Sequence, residues 1–377
     1  MSALANSKFE RLFVALPSPT MPRSGPGGHP CQGVYWTPRD QLRPRVAIIA
    51  AHYSVDFSEH YLAPYITRHG IGFLGWNTRF RGADDIFRLE PAVIDLGVGV
   101  RWLKEQAGAE VVVILGNSGG GSLMAAYQAE AKAPSLASEA DGVAAEALSE
   151  LVPGDYFVTL AAHAGRPDVL TSWIDPSVTD ETDPTSTDPT IDAFDLRNGP
   201  PFSDEFVGRY RDAQRARNQS ITDWAKVELA RLESKNAPDR VFTLFRVWAD
   251  LRFLDPRIDP SERPTPRCYM GDPAIANRRM GGLARATTLK TWLAMWSLEC
   301  SPCRGERHLI KIREPALVIQ ASWDVGVFPS DAQGLIEGLG SKDKVMQSAA
   351  GGHFFEDSDS EREQVAEMIA QWLAARI

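Results

Sequence analysis

Short, almost uninterrupted apolar runs alternate with segments of helical period over most of the chain. Residues 33–37, 46–51, 71–76, 111–115 and 156–161 read as strands, and after a long break 316–320 and 344–347 resume the series. Residues 58–68 read as a helix stopped by Gly70. The clearest helical pattern is 90–106, with Pro91 near its first turn, Ile94, Val98 and Trp102 on one face beside Leu103, and Gly108 just past its end. A last helix spans 361–375. Apolar strands without polar alternation, separated by helices, predict an α/β fold with a mostly parallel sheet covered on both faces.

Two stretches fall outside this rhythm. Residues 1–33 hold a short apolar segment at 12–16 and then a Pro- and Gly-rich stretch, and are expected to form an N-terminal arm or loop. The second stretch runs from about 166 to 304. Its first part, 168–205, has ten acidic residues, five prolines and one basic residue, Arg197, which favours an extended surface excursion. Helical patterns follow at 204–234, 241–251 and 287–296, together with five of the ten tryptophans: Trp173, Trp224, Trp248, Trp292 and Trp296. An aromatic-rich, mainly helical insertion between two strands is expected to cap one edge of the sheet. Residues 34–165 and 305–377 then form the core, and 166–304 the cap.

Charge and composition narrow the function. The 377 residues carry 40 Lys+Arg against 49 Asp+Glu, a formal charge of −9, with no basic block of the kind that neutralises phosphates, so nucleic acid is not expected as a partner. The longest continuous apolar run, 46–51, is far too short for a bilayer core of roughly 30 Å, and the N-terminus lacks a secretory apolar stretch. The chain is therefore read as cytoplasmic, without a membrane partner and with its oligomeric state open, a homo-oligomer included. Four cysteines are too few for a disulfide scaffold. Cys300 and Cys303 form a Cys-x-x-Cys pair, but a zinc site would need two more ligands and only His308 lies near, so free thiols are expected.

The sharpest local feature is Gly116-Asn117-Ser118-Gly119-Gly120, a Gly-x-Ser-x-Gly motif that follows the strand at 111–115 and opens a helical run at 122–132. Strand, sharp turn and helix lift a serine oxygen clear of a sheet, and flanking glycines let the backbones approach. A phosphate-binding turn fits less well, since the Lys of a P-loop and the spacing of a dinucleotide fingerprint are both absent. A serine needs a base held by a carboxylate. Of seven histidines, only His353 lies in a Gly-rich loop (Gly351, Gly352) between the last strand and the last helix. Asp324 stands just beyond the strand at 316–320. Asp331 is the alternative acid, at a position where an aspartate commonly caps a helix.

The order Ser118, Asp324, His353, each in its strand context, resembles the α/β-hydrolase fold superfamily. So do residues 50–53, which look like its His-Gly segment, and 76–82, which look like its Asp-x-Arg-Gly-x-Gly segment. The resemblance implies an oxyanion hole from the backbone N–H groups of Gly119 and Tyr53, with Tyr53 standing where glycine is frequent and Asn77 where aspartate is frequent. It leaves His52 either to contact substrate or to orient its loop, and His163 either to line the mouth of the site or to serve the fold. It further implies a serine hydrolase acting on a small-molecule carboxylic ester through an acyl-enzyme, with neither metal nor organic cofactor required. Lactone, amide or carbon–carbon hydrolysis are alternatives on the same triad, and a non-catalytic ligand-binding protein is another. The cap tryptophans point either to an apolar, bulky substrate or to a small core of the cap itself.

Overall fold

The computed structural model describes residues 8–25, 28–138 and 140–377. Six strands open the chain: β1 (Phe9–Leu16), β2 (Cys31–Pro38), β3 (Val46–Ala51), β4 (Gly72–Asn77), β5 (Val111–Asn117) and β6 (Tyr156–Leu160). Two short strands, β7 (Val241–Thr243) and β8 (Ala286–Thr288), pair with each other elsewhere, and β9 (Ala316–Ala321) and β10 (Lys344–Ala349) complete the main sheet in the order β1-β2-β4-β3-β5-β6-β9-β10. From β4 to β10 every pairing is parallel, while β2 runs antiparallel to both β1 and β4.

The central strands β3, β4, β5, β6 and β9 are almost wholly apolar because both sheet faces are covered there. Along β3, Ala47 and Ile49 face one core while Ile48 and Ala50 face the other, as the two-residue period of a strand requires. Helices α1 (Ala63–Ile66) and α11 (Asp359–Ala374) cover the second face, the latter through Val365, Ile369 and Leu373. Helices α2 (Leu89–Glu105) and α3 (Gly120–Lys132) cover the first, joined by residues of α4 (Gly142–Ser149) and α10 (Pro329–Gly338). No helix among the described residues is long and apolar enough to cross a membrane.

Between β6 and β9 the chain makes a large, mainly helical insertion. It opens with α5 (Arg166–Trp173) and is dominated by α6 (Asp204–Glu233), whose N-cap Ser203 accepts the Phe206 amide at 3.2 Å. The buried face of α6 carries Phe206, Tyr210, Gln214, Arg217, Ile221 and Ala225 at helical spacing. Short elements follow: α7 (Pro273–Ala276), α8 (Leu289–Thr291) and α9 (Glu306–Leu309).

Four expectations need correction. The arm is partly regular: residues 9–16 form edge strand β1, paired along β2 from Phe9 with Pro38 to Leu16 with Cys31, so the core sheet begins before residue 34. Its outward Leu12 and Phe13 are exposed, which kept its alternation weak in the sequence. Residues 241–251 are not a helix. They begin as β7 and continue without regular structure, with Arg246 at φ +55°, because their backbone bonds outward: the Ala249 amide donates to Trp173 O at 2.9 Å, and the Asp175 amide to Arg246 O at 2.8 Å. The helix expected at 58–68 shrinks to α1 and one 3-10 turn, Thr67–His69. Likewise 287–296 begins as strand β8 before turning helical.

Candidate active site

The parallel strands β3, β5, β6, β9 and β10 all end at one edge, and the loops just past them hold His52 and Tyr53, Ser118, His163, Asp324 and His353. Ligands bind at this carboxyl edge in open α/β sheets. Ser118 sits between β5 and α3 at φ +55°, a left-handed conformation uncommon for a residue with a side chain. Its amide is held by Leu160 O at 3.1 Å. The turn closes only because its neighbours lack side chains: a Cβ on Gly120 would lie 2.3 Å from the Ala51 carbonyl oxygen, and one on Gly119 2.7 Å from His52 Nε2.

Ser118 Oγ lies 2.9 Å from His353 Nε2, and His353 Nδ1 lies 2.6 Å from Asp324 Oδ2. Both His353 and Asp324 are buried. Asp324 Oδ1 accepts the amides of Gly326 at 2.9 Å and Val327 at 3.0 Å, which fixes the carboxylate plane. Asp331 is elsewhere employed: its Oδ2 accepts the Phe328 amide at 2.8 Å at the start of α10 and faces Arg252.

A residue from the insertion joins this chain of groups. The Tyr269 hydroxyl donates to Asp324 Oδ1 at 2.9 Å, its oxygen lies 2.8 Å from His353 Nδ1, and its ring centroid is 4.6 Å from the imidazole. Tyr269 sits in a tight turn in which Cys268 and Gly271 exchange two backbone hydrogen bonds of 2.9 Å. Sequence reasoning missed it, since a tyrosine in a cap turn carries no motif and 55 residues separate it from Asp324. Trp173 and Trp248 stack with centroids 4.9 Å apart beside Tyr269, and both line the cavity over Ser118. Trp292 is buried against Thr222 within the insertion, so the tryptophans are divided between the cavity and the insertion's own core.

The cavity has a volume of about 330 Å³ and contains Ser118, His353, His52 and His163 in its lining. Roomier clefts of about 680 and 800 Å³ lie elsewhere, but neither is lined by a histidine. Neither the Gly119 nor the Tyr53 amide has an acceptor among the described residues. The Tyr53 side chain does not obstruct the cavity. It is fully buried, with its hydroxyl 3.0 Å from Ser122 Oγ and its ring packed on Phe87. Asn77 also has a local reason: its Oδ1 accepts the Phe57 amide at 2.8 Å while its Nδ2 donates to Asp56 at 2.8 Å, and an aspartate there would confront the Asp56 carboxylate.

His52 Nδ1 accepts the Val55 amide at 3.3 Å, which orients the loop after β3. Burial, and then the Arg166 guanidinium, push both His52 and His163 well below the ordinary imidazole value, so both are neutral at pH 7. Cys300 and Cys303 are free thiols. The Cys303 Sγ donates to Ala294 O at 3.3 Å, and His308 Nε2 lies 2.8 Å from Pro302 O. No group of three or more His, Cys, Asp or Glu side chains with metal-binding geometry exists among the described residues.

No family model and no curated protein matches this chain. Solved structures do resemble it. DcsB in complex with its substrate analogue superposes with a TM-score of 0.52 at 12% identity, over 98% of this chain and 100% of that one. The alpha/beta hydrolase GrgF from Penicillium sp. sh18 does so with a TM-score of 0.50 at 13% identity, over 97% of each chain. At such identities the likeness is one of fold.

Proposed function

Given the α/β-hydrolase fold of this chain, we propose that it is a serine hydrolase that cleaves a carboxylic ester of a fairly apolar small molecule through an acyl-enzyme on Ser118. The observation that carries the reading is the continuous relay from Ser118 Oγ through the two His353 nitrogens to Asp324, at 2.9 and 2.6 Å. Those distances match what a nucleophile, base and orienting acid require.

Ser118 Oγ attacks the acyl carbon while His353 Nε2 takes the hydroxyl proton. The carbonyl π electrons move to oxygen, and the amides of Gly119 and Tyr53 receive the oxyanion, each such donor being worth roughly 2.7–4 kcal/mol in the transition state. His353 then returns its proton to the leaving alkoxide, the ester C–O bond breaks, and the alcohol departs. Water, deprotonated by the same nitrogen, attacks the acyl-enzyme, and collapse regenerates Ser118 and frees the acid. Asp324 holds Nδ1–H so that Nε2 faces the serine. Tyr269 fixes the second carboxylate oxygen. The insertion acts as the cap, and Trp173, Trp248 and Val169 supply an apolar wall for the substrate.

The test is turnover of a p-nitrophenyl ester series from acetate to longer and aromatic acyl groups, run with wild type and Ser118→Ala, together with fluorophosphonate labelling located by mass spectrometry. Turnover lost in the variant and a label on Ser118 are expected. A folded protein that neither turns over nor labels would overturn the reading. Labelling without ester turnover would retain the nucleophile and move the scissile bond to a lactone, an amide or a carbon–carbon bond.

A further inference from the structure

Arg166, at the first position of α5, is 4% exposed and lines the cavity that holds Ser118. Its guanidinium is sandwiched between aromatic rings, 4.7 Å from the centroid of Trp296 and 5.2 Å from that of Tyr53. Its Nε is enclosed without an acceptor, and among the described residues no side chain or carbonyl accepts from either Nη. No carboxylate among the described residues forms an ion pair with it. Asp168, two residues on, is taken by Arg304 at 3.0 Å, and Asp84, the acid on the cavity wall besides the triad, does not come within pairing distance. The facing imidazoles of His52 and His163 are neutral and supply no compensating charge.

Such an arrangement is costly. An arginine stays protonated at neutral pH even when desolvated, and a buried charge is ordinarily paired. Arg166 is further disfavoured in the first turn of a helix, where the helix end already carries partial positive charge. The other arginines as deeply buried have partners: Arg217 binds Glu181 through two nitrogens at 2.7 and 2.8 Å, and Arg263 donates to the carbonyl oxygens of Asp259 at 2.6 Å and Ile258 at 2.8 Å. The exception faces the reacting serine: Nη1 lies 2.9 Å from where a Cβ of Gly119 would stand. A planar fork of donors held rigid by two rings, with nothing to donate to, matches a carboxylate arriving with the substrate.

We propose that Arg166 is the receptor for a carboxylate carried by the substrate, so that the enzyme acts on acid-bearing esters, such as monoesters of dicarboxylic acids, in preference to their neutral counterparts. This deepens the serine hydrolase reading and rests on it. Asp84, on the same wall, repels a second anionic group, which favours a single carboxylate per substrate.

The test compares mono-4-nitrophenyl glutarate with its neutral methyl diester at pH 7, in wild type and in Arg166→Gln, Arg166→Met and Arg166→Lys. Wild type is expected to favour the free acid in kcat/KM by about tenfold or more, the usual scale of one charge-assisted contact. The ratio should fall to about one in the Gln and Met variants and lie between in Lys. A ratio near one in wild type, or one unchanged by Gln and Met, overturns the proposal. Thermal melting separates a packing role: Arg166→Met, which keeps the stem between Tyr53 and Trp296 and removes an unpaired charge, is expected to melt at the wild-type temperature or above, and a marked fall would assign Arg166 to structure instead. Failure of the hydrolase reading is distinguishable by calorimetry on Ser118→Ala with monomethyl and dimethyl glutarate. An Arg166-dependent preference for the monoester there supports the receptor even if wild type neither hydrolyses nor labels, and its absence counts against the receptor whatever the turnover.

Discussion

In the sheet core, fully buried positions are filled by Ile48, Ile49, Phe73, Val113, Ile114 and Phe157; in the insertion, they include Asp175 and Asp250. Asp250 accepts from Arg211 at 2.8 Å and from the Arg252 side chain and amide, while Asp175 accepts from Arg246 and Asn277, each at 2.7 Å. Arg217 adds a bidentate pair with Glu181 and a bond to Asp175 O. The core has a buried pair of its own in Arg79 and Asp95, but its strands cohere by apolar burial. The difference teaches that two parts of one chain can be equally well buried by unlike forces. Apolar burial is non-directional and repairable by neighbouring groups. A buried ion pair is neither, since losing one partner strands the other.

Both parts converge on the site, and the largest effect should come from the core's contribution. Ser118→Ala is expected to lower kcat by at least about 10⁴-fold while leaving the melting temperature near wild type. Steady-state kinetics beside a thermal melt would check this, and retained turnover would remove Ser118 from the mechanism.

Next comes the insertion's cohesion. Asp250→Ala leaves the half-buried guanidinium groups of Arg211 and Arg252 without their shared, fully buried acceptor and is expected to destabilise by about 3–5 kcal/mol. The apolar core truncation Ile49→Val should cost only about 0.5–1.5 kcal/mol. Denaturant titrations of both variants set the two cohesive forces side by side. Equal small losses would mean that the insertion's ion pairs are dispensable.

That pairing has a pH signature. Burial by itself would raise the Asp250 carboxyl, but Arg211 and Arg252 outweigh it and hold the group well below the usual carboxylate range. A depressed folded-state pKa contributes stability that is present above the unfolded value and is lost as pH falls toward the folded one. The stability gap between wild type and Asp250→Asn should therefore be full at neutral pH and narrow below about pH 4, where the unfolded carboxylate itself protonates. A gap constant from pH 7 to pH 3 would contradict the charge account.

The smallest effect sits where the two regions touch. Tyr269→Phe removes the hydroxyl that the insertion places on Asp324 and His353, and kcat is expected to fall about tenfold, equivalent to roughly 1.4 kcal/mol, with KM moving little. Recording kcat against pH tests the role, because a hydroxyl that positions the pair shifts the acid limb of that profile. A rise in KM alone would make Tyr269 a wall of the cavity and nothing more.

The same contrast explains which elements are legible in the sequence. Strands β3, β5 and β9 each announced themselves as apolar runs within a residue or two of their ends, because a sheet buried on both faces leaves no polar gap in the sequence. Ser118 was legible because a strained turn between strand and helix demands glycines at fixed offsets, and His353 and Asp324 because each follows a recognisable strand. The insertion left no such trace. Asp250 and Arg211 lie 39 residues apart, Asp175 and Asn277 102 apart, and nothing in the local pattern at either end marks its partner. Residues 244–250 carried a helical period and became irregular, since their backbone found partners across the insertion.

The amino-acid sequence by itself determined the parallel sheet, the order of Ser118, Asp324 and His353 along it, and the edge on which they meet, because these depend on periodicities and turn constraints confined to a few consecutive residues. Only the tertiary structure decided that β1 closes the sheet's edge, that the Tyr269 hydroxyl meets Asp324 and His353 and that Arg166 stands in the cavity of Ser118 without a partner among the described residues. Those outcomes depend on which distant groups share a buried space, and the free energy of a charge or hydroxyl is set by that neighbourhood and not by its place in the chain.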